Sequence, residues 1–345
     1  MAGNDALNRA NKAKKDEFYT RREDIEAEIQ YYEKHFVDQI VLCNCDDPYE
    51  SNFFMFFVWN FNRLKLKKLI ATCYESSPIV KDQLAIRTPY MIQITEVKQN
   101  DLCNSLAEII DRLLSNKKNT YLKLANGDFR SPECVQFLQE ANIIVTNPPF
   151  SLFREFVALL MDYEKKFLII GNQNAITYKE IFPLIQSNKI WLGCRSGDMA
   201  FMVPDYYEPR ATRYWIDDSG QKWRSMGNIC WFTNLDHHKR HIELDLYKKY
   251  TPEEYPKYDN YNAINIDKVS DIPYDYNEYM GVPITFLDKF SPEQFEIIGC
   301  TESEGKGFSN GLWYPESGVA QPLIQGERKY KRIFIRRKQH ENQTP

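Results

Sequence analysis

Short apolar runs alternate with stretches of helical periodicity between residues 39 and 171. The runs are bounded by turn residues, which is typical of strands buried on both faces of a parallel sheet. Predicted strands lie at residues 40–44, 68–72, 143–146 and 167–170. Predicted helices lie at residues 53–62, 132–140 and 152–163, with a further helix at 102–114. The alternation predicts an α/β fold whose sheet carries helices on both faces.

Beyond residue 171 the periodicity is weaker. Tryptophan, tyrosine, proline and glycine are spread through residues 190–231, and a tyrosine-rich, acidic stretch follows at 247–279. The sequence therefore predicts a first domain over residues 1–185 and an irregular α+β region over 186–345. An apolar run predicts one strand near 228–235 that returns to the first domain.

Composition and charge narrow the class of protein. The chain has 345 residues, enough for one large core or two smaller ones. The 22 Tyr and 21 Phe suit base stacking or a well-filled core. A net charge of −4 argues against indiscriminate coating of nucleic acid, but residues 328–338 carry seven basic and no acidic side chains. That cluster could meet phosphate groups, although a charge run is also typical of a solvated surface.

Several classes of protein are not indicated. No run reaches the roughly 18 apolar residues that a membrane span needs, and residues 1–15 lack the apolar core of a signal peptide. We expect a cytoplasmic, monomeric protein with no membrane partner. The cysteines show no CxxC pair, and His237, His238 and His241 lack a second ligand pair at metal spacing, so we expect no metal site.

One short motif contains candidate catalytic residues. Asn147, Pro148, Pro149 and Phe150 directly follow the apolar run that ends at Thr146, and open α/β sheets bind ligands at the carboxyl ends of strands. The prolines fix the backbone and lack amide donors. The Asn147 side-chain oxygen and the Pro148 carbonyl then offer two acceptors, and Phe150 offers a ring face for stacking. The alternative is a proline-rich turn that only ends a strand.

Two fixed acceptors would solve a problem of reactivity. An amino group conjugated with an aromatic ring is a poor nucleophile until its lone pair is localised. Acceptors that draw its two hydrogens toward tetrahedral geometry favour the transition state over the planar ground state. The motif therefore predicts attack by such a nitrogen on an electrophilic methyl group.

Longer segments in collinear order support this interpretation. They are KKDEFYT at 14–20, CNCDDP at 43–48, GDFR at 127–130, TNPPFSLFRE at 146–155, IIGNQNAITYKEIF at 169–182, WFTN at 231–234 and KRIFIRRK at 331–338. These segments span most of the chain, and in them the sequence resembles the EcoRI-type adenine-specific DNA methyltransferases. The resemblance implies a Rossmann-like, S-adenosylmethionine-dependent fold. It also implies methylation of the N6 amino group of an adenine flipped out of double-stranded DNA, with the 147–150 motif as catalytic residues.

The resemblance also implies a site for S-adenosylmethionine. The residues expected to bind it are Phe18, Tyr19, Thr20, Asn44, Asp46, Asp47, Pro48, Asp128 and Phe129. Asp128 is expected to accept from the cofactor's amino group, and a carboxylate after the first strand is expected to pair with its ammonium. Residues 47–51 replace the usual glycine-rich loop, and an aspartate that caps a helix is the alternative there. Glu75 is a candidate ribose ligand.

Recognition of the target is expected after residue 186. Trp231 or Phe232 is a candidate second ring face for the flipped base, with core packing as the alternative. Candidate base readers, by residue type alone, are Arg195, Arg210, Arg213 and Arg224. Other interpretations remain open: the same fold acting on RNA or on a protein glutamine, or a DNA-binding module that has lost catalysis.

Overall fold

The computed structural model describes residues 18–45, 47–73, 88–103, 105–203, 205, 207–302 and 307–338. The chain divides into two compact units, the first comprising Met1–Ile181 and Leu192–Asp236 and the second Phe182–Trp191 and His237–Pro345. The sequence predicts a boundary at residue 185 with one returning strand. In the structure a longer stretch returns to the first unit, because two long strands of that stretch join its sheet.

The first unit is organised by a large mixed sheet. Its strands are β1 (Tyr19–Thr20), β2 (Ile40–Asn44), β3 (Lys68–Cys73), β4 (Tyr90–Ile94), β5 (Thr120–Lys123), β6 (Ile143–Thr146), β7 (Lys166–Asn172), β8 (Trp191–Val203), β9 (Tyr214–Ile216) and β10 (Lys222–Thr233). The order is β1-β8-β10-β7-β6-β2-β3-β4-β5, and β9 pairs with β10. Strands β3, β2, β6 and β7 are parallel, whereas β4 and β10 run against their neighbours.

The helices follow from local sequence signals. They are α1 (Arg22–Ile29), α2 (Glu33–Phe36), α3 (Asn52–Trp59), α4 (Leu106–Ser115), α5 (Pro132–Glu140), α6 (Phe153–Asp162) and, in the second unit, α7 (Phe182–Gln186). The Ser51 hydroxyl accepts from the Phe54 amide at the start of α3, and Ser131 accepts from the Cys134 amide at the start of α5. Pro132 adds the fixed φ that favours a first helical position.

The predicted parallel strands are confirmed. Strands β2 and β6 match the predicted bounds. Strand β3 is one residue longer than predicted, and β7 is longer by one residue at its start and two at its end. All residues of β2 and β6 are buried, which explains why they read as continuous apolar runs.

The order of the strands predicts where a ligand would bind. From β2 the chain crosses by α3 to β3 on one side, and from β6 it crosses by α6 to β7 on the other. Strands β2 and β6 are themselves neighbours, so they flank a topological switch point. In open α/β sheets ligands bind at such a point, outside the carboxyl ends of the strands. We call this side of the sheet the carboxyl edge.

The second unit is built around a smaller four-stranded sheet. Its strands are β11 (Ile264–Asn265), β12 (Met280–Pro283), β13 (Phe295–Cys300) and β16 (Arg332–Arg337), in the order β11-β12-β16-β13, and β14 (Leu323–Ile324) pairs separately with β15 (Glu327–Arg328). A core that includes Tyr258, Tyr261 and Phe334 packs beside this sheet. The region is therefore more ordered than its weak periodicity indicated.

Candidate active site

Three segments meet at the carboxyl edge of the first unit. The Asn147 side-chain nitrogen donates to the Phe18 carbonyl at 2.6 Å, and the Thr146 hydroxyl donates to the Asn44 carbonyl at the end of β2. Asn52, at the start of α3, donates to the Thr20 carbonyl at 2.8 Å. The ends of β2 and β6 and the short strand β1 are thus tied together where the sheet topology predicts a crevice.

Polar atoms at this junction are buried without a hydrogen-bond partner among the described residues. They are Asn147 Oδ1, Asn44 Oδ1 and Thr20 Oγ1. A buried polar atom costs free energy unless it is paired, and an orphaned one in a native fold calls for an explanation. Because these three atoms lie on the three segments that meet at the switch point, a polar ligand is the simplest explanation.

Aromatic rings line the same junction. Phe18 stacks on Phe150 with ring centroids 5.8 Å apart. Phe201, from β8, lies 5.8 Å from Phe18 and 6.4 Å from Phe150, and Tyr207 lies 6.2 Å from Phe18. Pro148 is buried, whereas Pro149 and Phe150 are half-buried. The turn at 147–150 therefore joins a polar acceptor to a group of rings.

The loop after β2 is held by a tyrosine. Asp47 is buried, and its Oδ1 accepts from the Tyr49 amide at 3.0 Å and from the Tyr90 hydroxyl of β4. Burial, followed by the nearby Asp47 charge, raises the pKa of Tyr90, so its proton stays on the phenol. Ser51, not Asp47, caps α3. Asp47 is thus a buried acceptor, and Pro48 beside it is also buried. Asp46 and Glu75, two other candidate cofactor ligands, lie outside the described residues.

Asp128 is engaged by an arginine. The loop that carries it follows β5, which runs in the same direction as β3, and so leaves the sheet at the carboxyl edge. Both carboxylate oxygens of Asp128 accept from Arg130, at 2.9 and 2.7 Å, and Arg130 also donates to Glu155 at 2.6 Å. Hydrogen bonding by Arg130 lowers the pKa of Asp128, so the carboxylate is charged at neutral pH. Phe129 is buried with its ring 5.0 Å from Phe156.

Trp231 lies in the core. It is fully buried on β10, with its ring 6.0 Å from Phe53 in an edge contact, and its neighbour Phe232 packs 4.9 Å from Phe153. Neither side chain offers an exposed face in this structure. The core packing named as the alternative matches this placement, and stacking by Trp231 stays an untested prediction.

The candidate base readers lie on or near β8–β10. Arg213 pairs with Asp198 at 3.1 Å, and Arg224 donates to the Thr212 carbonyl at 2.6 Å. Arg195 and Arg210 are exposed. The structure places these arginines in the first unit, although the sequence assigns them to the second region.

Comparisons with known proteins identify the family. The family described as adenine-specific methyltransferase EcoRI matches residues 6–338. The chain belongs to this family. It is 46% identical to the type II methyltransferase M.EcoRI of Escherichia coli over 342 residues, covering 98% of each chain. It is 37% identical to M.MpnI of Mycoplasma pneumoniae and 35% identical to M.MgeORF184P of Mycoplasma genitalium, covering at least 96% of every chain. No solved structure matches significantly.

In this EcoRI-family chain the structure adds residues that the sequence analysis did not assign. They are Tyr90, Arg130, Phe201 and Tyr207. Arg130 belongs to the GDFR segment, two residues after Asp128. This short spacing could have indicated an ion pair between the two side chains. The other three come from antiparallel strands or loops whose partners no local pattern reveals.

Among the described residues, no helix is long and apolar enough to cross a membrane. Likewise, no group of three or more His, Cys, Asp or Glu side chains there is placed to hold a metal ion.

Proposed function

We propose that this protein transfers a methyl group from S-adenosylmethionine to the N6 amino group of an adenine flipped out of double-stranded DNA. The observation that carries the proposal is the state of the Asn147 amide. Its nitrogen is bonded to the Phe18 carbonyl, so its oxygen is held as a buried acceptor that no described residue satisfies. An amino group is a ligand that such an oxygen would bind.

Asn147 Oδ1 would accept one hydrogen of the amino group, and the Pro148 carbonyl the other. Together they would localise the nitrogen lone pair and turn it toward the methyl donor. The amide needs no reorganisation because Phe18 already fixes it, and acceptors positioned in advance favour the transition state. Phe150 would stack on the flipped base, a contact of roughly 1–3 kcal/mol in comparable sites.

The polar atoms near Asn147 fit a bound S-adenosylmethionine. When bound, this group supplies an electrophilic methyl on its sulfonium. Thr20 Oγ1 and Asn44 Oδ1 are buried acceptors that lack partners among the described residues, and the Asp47 carboxylate lies in the next loop. We propose that Phe18 to Thr20, Asn44 and the 46–48 loop hold the methionine end, and that Asp128 and Phe129 hold the adenine end.

Duplex DNA is the substrate that the family membership favours. The family is described as adenine-specific, and the relatives in Escherichia coli and Mycoplasma are named type II methyltransferases. We expect label from tritiated S-adenosylmethionine to enter duplex DNA and to be recovered as N6-methyladenine. Label confined to RNA or to protein glutamine would overturn the proposed substrate. If this protein fails to bind S-adenosylmethionine at high micromolar concentration, it is instead a DNA-binding module that has lost catalysis.

The catalytic role is tested with Asn147→Ala. We expect turnover to be abolished while S-adenosylmethionine affinity stays within a few fold, because the amide oxygen should touch the base and not the cofactor. Methylation is measured by tritium transfer and affinity by calorimetry. Asn142→Ala is the matched control, since Asn142 lies just before the opposite end of β6 and accepts from the Ile40 amide at 2.9 Å. Wild-type turnover in Asn147→Ala would refute the assignment.

A further inference from the structure

Tyr90 reaches the proposed cofactor loop from across a neighbouring strand. Strand β4 runs antiparallel to β3, and its first residue, Tyr90, pairs with Cys73, the last residue of β3. Tyr90 therefore lies at the carboxyl edge, and the proposed function assigns it no role. Strand β2, whose following loop carries Asp47, is the other neighbour of β3. The Tyr90 hydroxyl spans this distance and donates to Asp47 Oδ1.

The Asp47 carboxylate accepts hydrogen bonds from neutral donors. Asp47 and Tyr90 are both buried, and a buried carboxylate costs free energy unless it is hydrogen-bonded. Its Oδ1 accepts from the Tyr49 amide at 3.0 Å as well as from the Tyr90 hydroxyl. Two donors to one oxygen fix the orientation of the carboxylate. Because both donors are uncharged, neither of them balances its negative charge.

Ring contacts fix the Tyr90 hydroxyl. The Tyr90 ring stacks on Tyr121 of β5, with centroids 5.2 Å apart and planes 24° apart. The Tyr49 ring makes an edge contact with Tyr90 at 6.2 Å. Burial, followed by the nearby Asp47 charge, raises the pKa of Tyr90, so the phenol keeps its proton at neutral pH. Tyr90 is therefore a donor with a fixed position and a fixed protonation state.

The second carboxylate of the proposed cofactor site is held differently. Both oxygens of Asp128 accept from the positively charged guanidinium of Arg130. S-adenosylmethionine carries a neutral amino group on its adenine end and a charged ammonium on its methionine end. A carboxylate that is already paired with a cation suits the neutral amino group. A carboxylate held by neutral donors, such as Asp47, keeps its charge for the ammonium.

We propose that Tyr90 is a positioning residue for S-adenosylmethionine, whose hydroxyl holds the Asp47 carboxylate in the orientation that receives the cofactor's ammonium group. The inference rests on the proposed function. A carboxylate that is fixed before the ligand arrives loses less conformational freedom on binding, so the ion pair contributes more to affinity. Because Tyr90 acts on Asp47 and not on the turn at 147–150, it should affect cofactor binding and not the chemical step.

The test uses two ligands that differ only at the ammonium group. They are S-adenosylhomocysteine and its desamino analogue, in which a hydrogen replaces the α-ammonium. We expect Tyr90→Phe, which keeps the ring, to weaken binding of S-adenosylhomocysteine by about tenfold and of the desamino analogue by no more than about twofold. Calorimetry measures both affinities. In methylation assays the KM for S-adenosylmethionine should rise by about tenfold while kcat stays within about threefold of wild type.

Tyr121→Phe is the matched control. It removes a hydroxyl from the ring that stacks on Tyr90, on a residue that is 41% exposed, and should leave both affinities unchanged. Asp47→Asn tests whether Tyr90 acts through the carboxylate. In that background Tyr90→Phe should change the affinity for S-adenosylhomocysteine by no more than about twofold, because the effects of coupled residues do not add. Binding is measured below the melting transition of each variant, which thermal unfolding determines.

Three results would overturn the role of Tyr90. They are equal losses for the two ligands in Tyr90→Phe, wild-type affinity of that variant for S-adenosylhomocysteine, and an undiminished loss in the Asp47→Asn background. Failure of the underlying proposals gives separate results in the wild-type protein. Equal affinity for the two ligands would overturn the pairing of Asp47 with the ammonium, and binding of neither ligand would overturn the proposed use of S-adenosylmethionine.

Discussion

The amide nitrogen and the amide oxygen of Asn147 differ in their hydrogen bonding. The nitrogen is bonded to the chain itself, whereas the oxygen is buried and unsatisfied among the described residues. The sequence predicted the acceptor from the order of strand, asparagine and prolines. It could not predict the Phe18 carbonyl as the anchor, because residues 18 and 147 are 129 positions apart and no local pattern relates them.

The role of Asp128 is tested by Asp128→Ala. We expect S-adenosylmethionine affinity to fall by roughly 1.5–3 kcal/mol if a charge-assisted hydrogen bond is removed. Calorimetry measures the affinity, and Asp162→Ala is the control, since this exposed carboxylate ends α6. Unchanged affinity in Asp128→Ala would mean that the carboxylate serves only to hold Arg130.

At the scale of elements, a buried carboxylate joins α1 to β8. Glu28 is fully buried, and its Oε1 accepts from the Tyr32 hydroxyl at 2.8 Å and from the Cys194 amide at 2.7 Å. Helix α1 approaches so closely that a Cβ on Gly193 would clash with the same oxygen. Only glycine leaves room for this contact between helix and strand.

Glu28→Gln should therefore destabilise the first unit. We expect the free energy of unfolding to fall by about 1–3 kcal/mol, because the amide puts an NH2 group in place of one oxygen of a buried side chain that accepts from two donors. Urea unfolding followed by circular dichroism measures it. Glu26→Gln changes the same helix at an exposed ion pair with Arg22 and should stay within about 0.5 kcal/mol of wild type. A decrease no larger than that of Glu26→Gln would contradict the structural role of Glu28.

The elements differ in how far the sequence predicted them. Strands β2 and β6 are buried throughout, so apolar runs revealed them to the residue. Strand β8 is buried at both ends but exposed at Arg195, Ser196 and Asp198, and only residues 229–233 of β10 are buried, so neither shows one clean period. Strand β9 and the part of β10 that pairs with it were missed for this reason.

At the scale of the molecule, charge is divided unevenly along the second unit. Residues 328–331 include three cations around Tyr330, which is 89% exposed. Two other arginines of the basic cluster have structural partners: Arg332 is buried against Asn265, and Arg336 pairs with Glu296 at 2.9 Å. Arg328 and Lys331 beside Tyr330 are exposed, and we expect the loop between β15 and β16 to meet phosphate groups.

Lys329→Gln/Lys331→Gln should weaken DNA binding in a salt-dependent way. The slope of log K against log salt should become shallower by about 0.9 for each phosphate that the variant no longer neutralises, while turnover at saturating DNA is kept. Fluorescence anisotropy across a salt series measures the slope. Lys257→Gln/Lys268→Gln removes two exposed lysines of the acidic stretch and should leave the slope unchanged. Equal slopes for both double variants would exclude the loop from the interface.

The bond from Asn147 to the Phe18 carbonyl also has a consequence for fidelity. The side-chain amide cannot rotate to exchange its nitrogen and oxygen without breaking that bond. It can therefore offer an incoming base only its oxygen. A thymine or guanine would bring a keto oxygen to the same place, and two facing lone pairs repel each other. A hydrogen bond made within the chain would thus reject thymine and guanine before any methyl group moves.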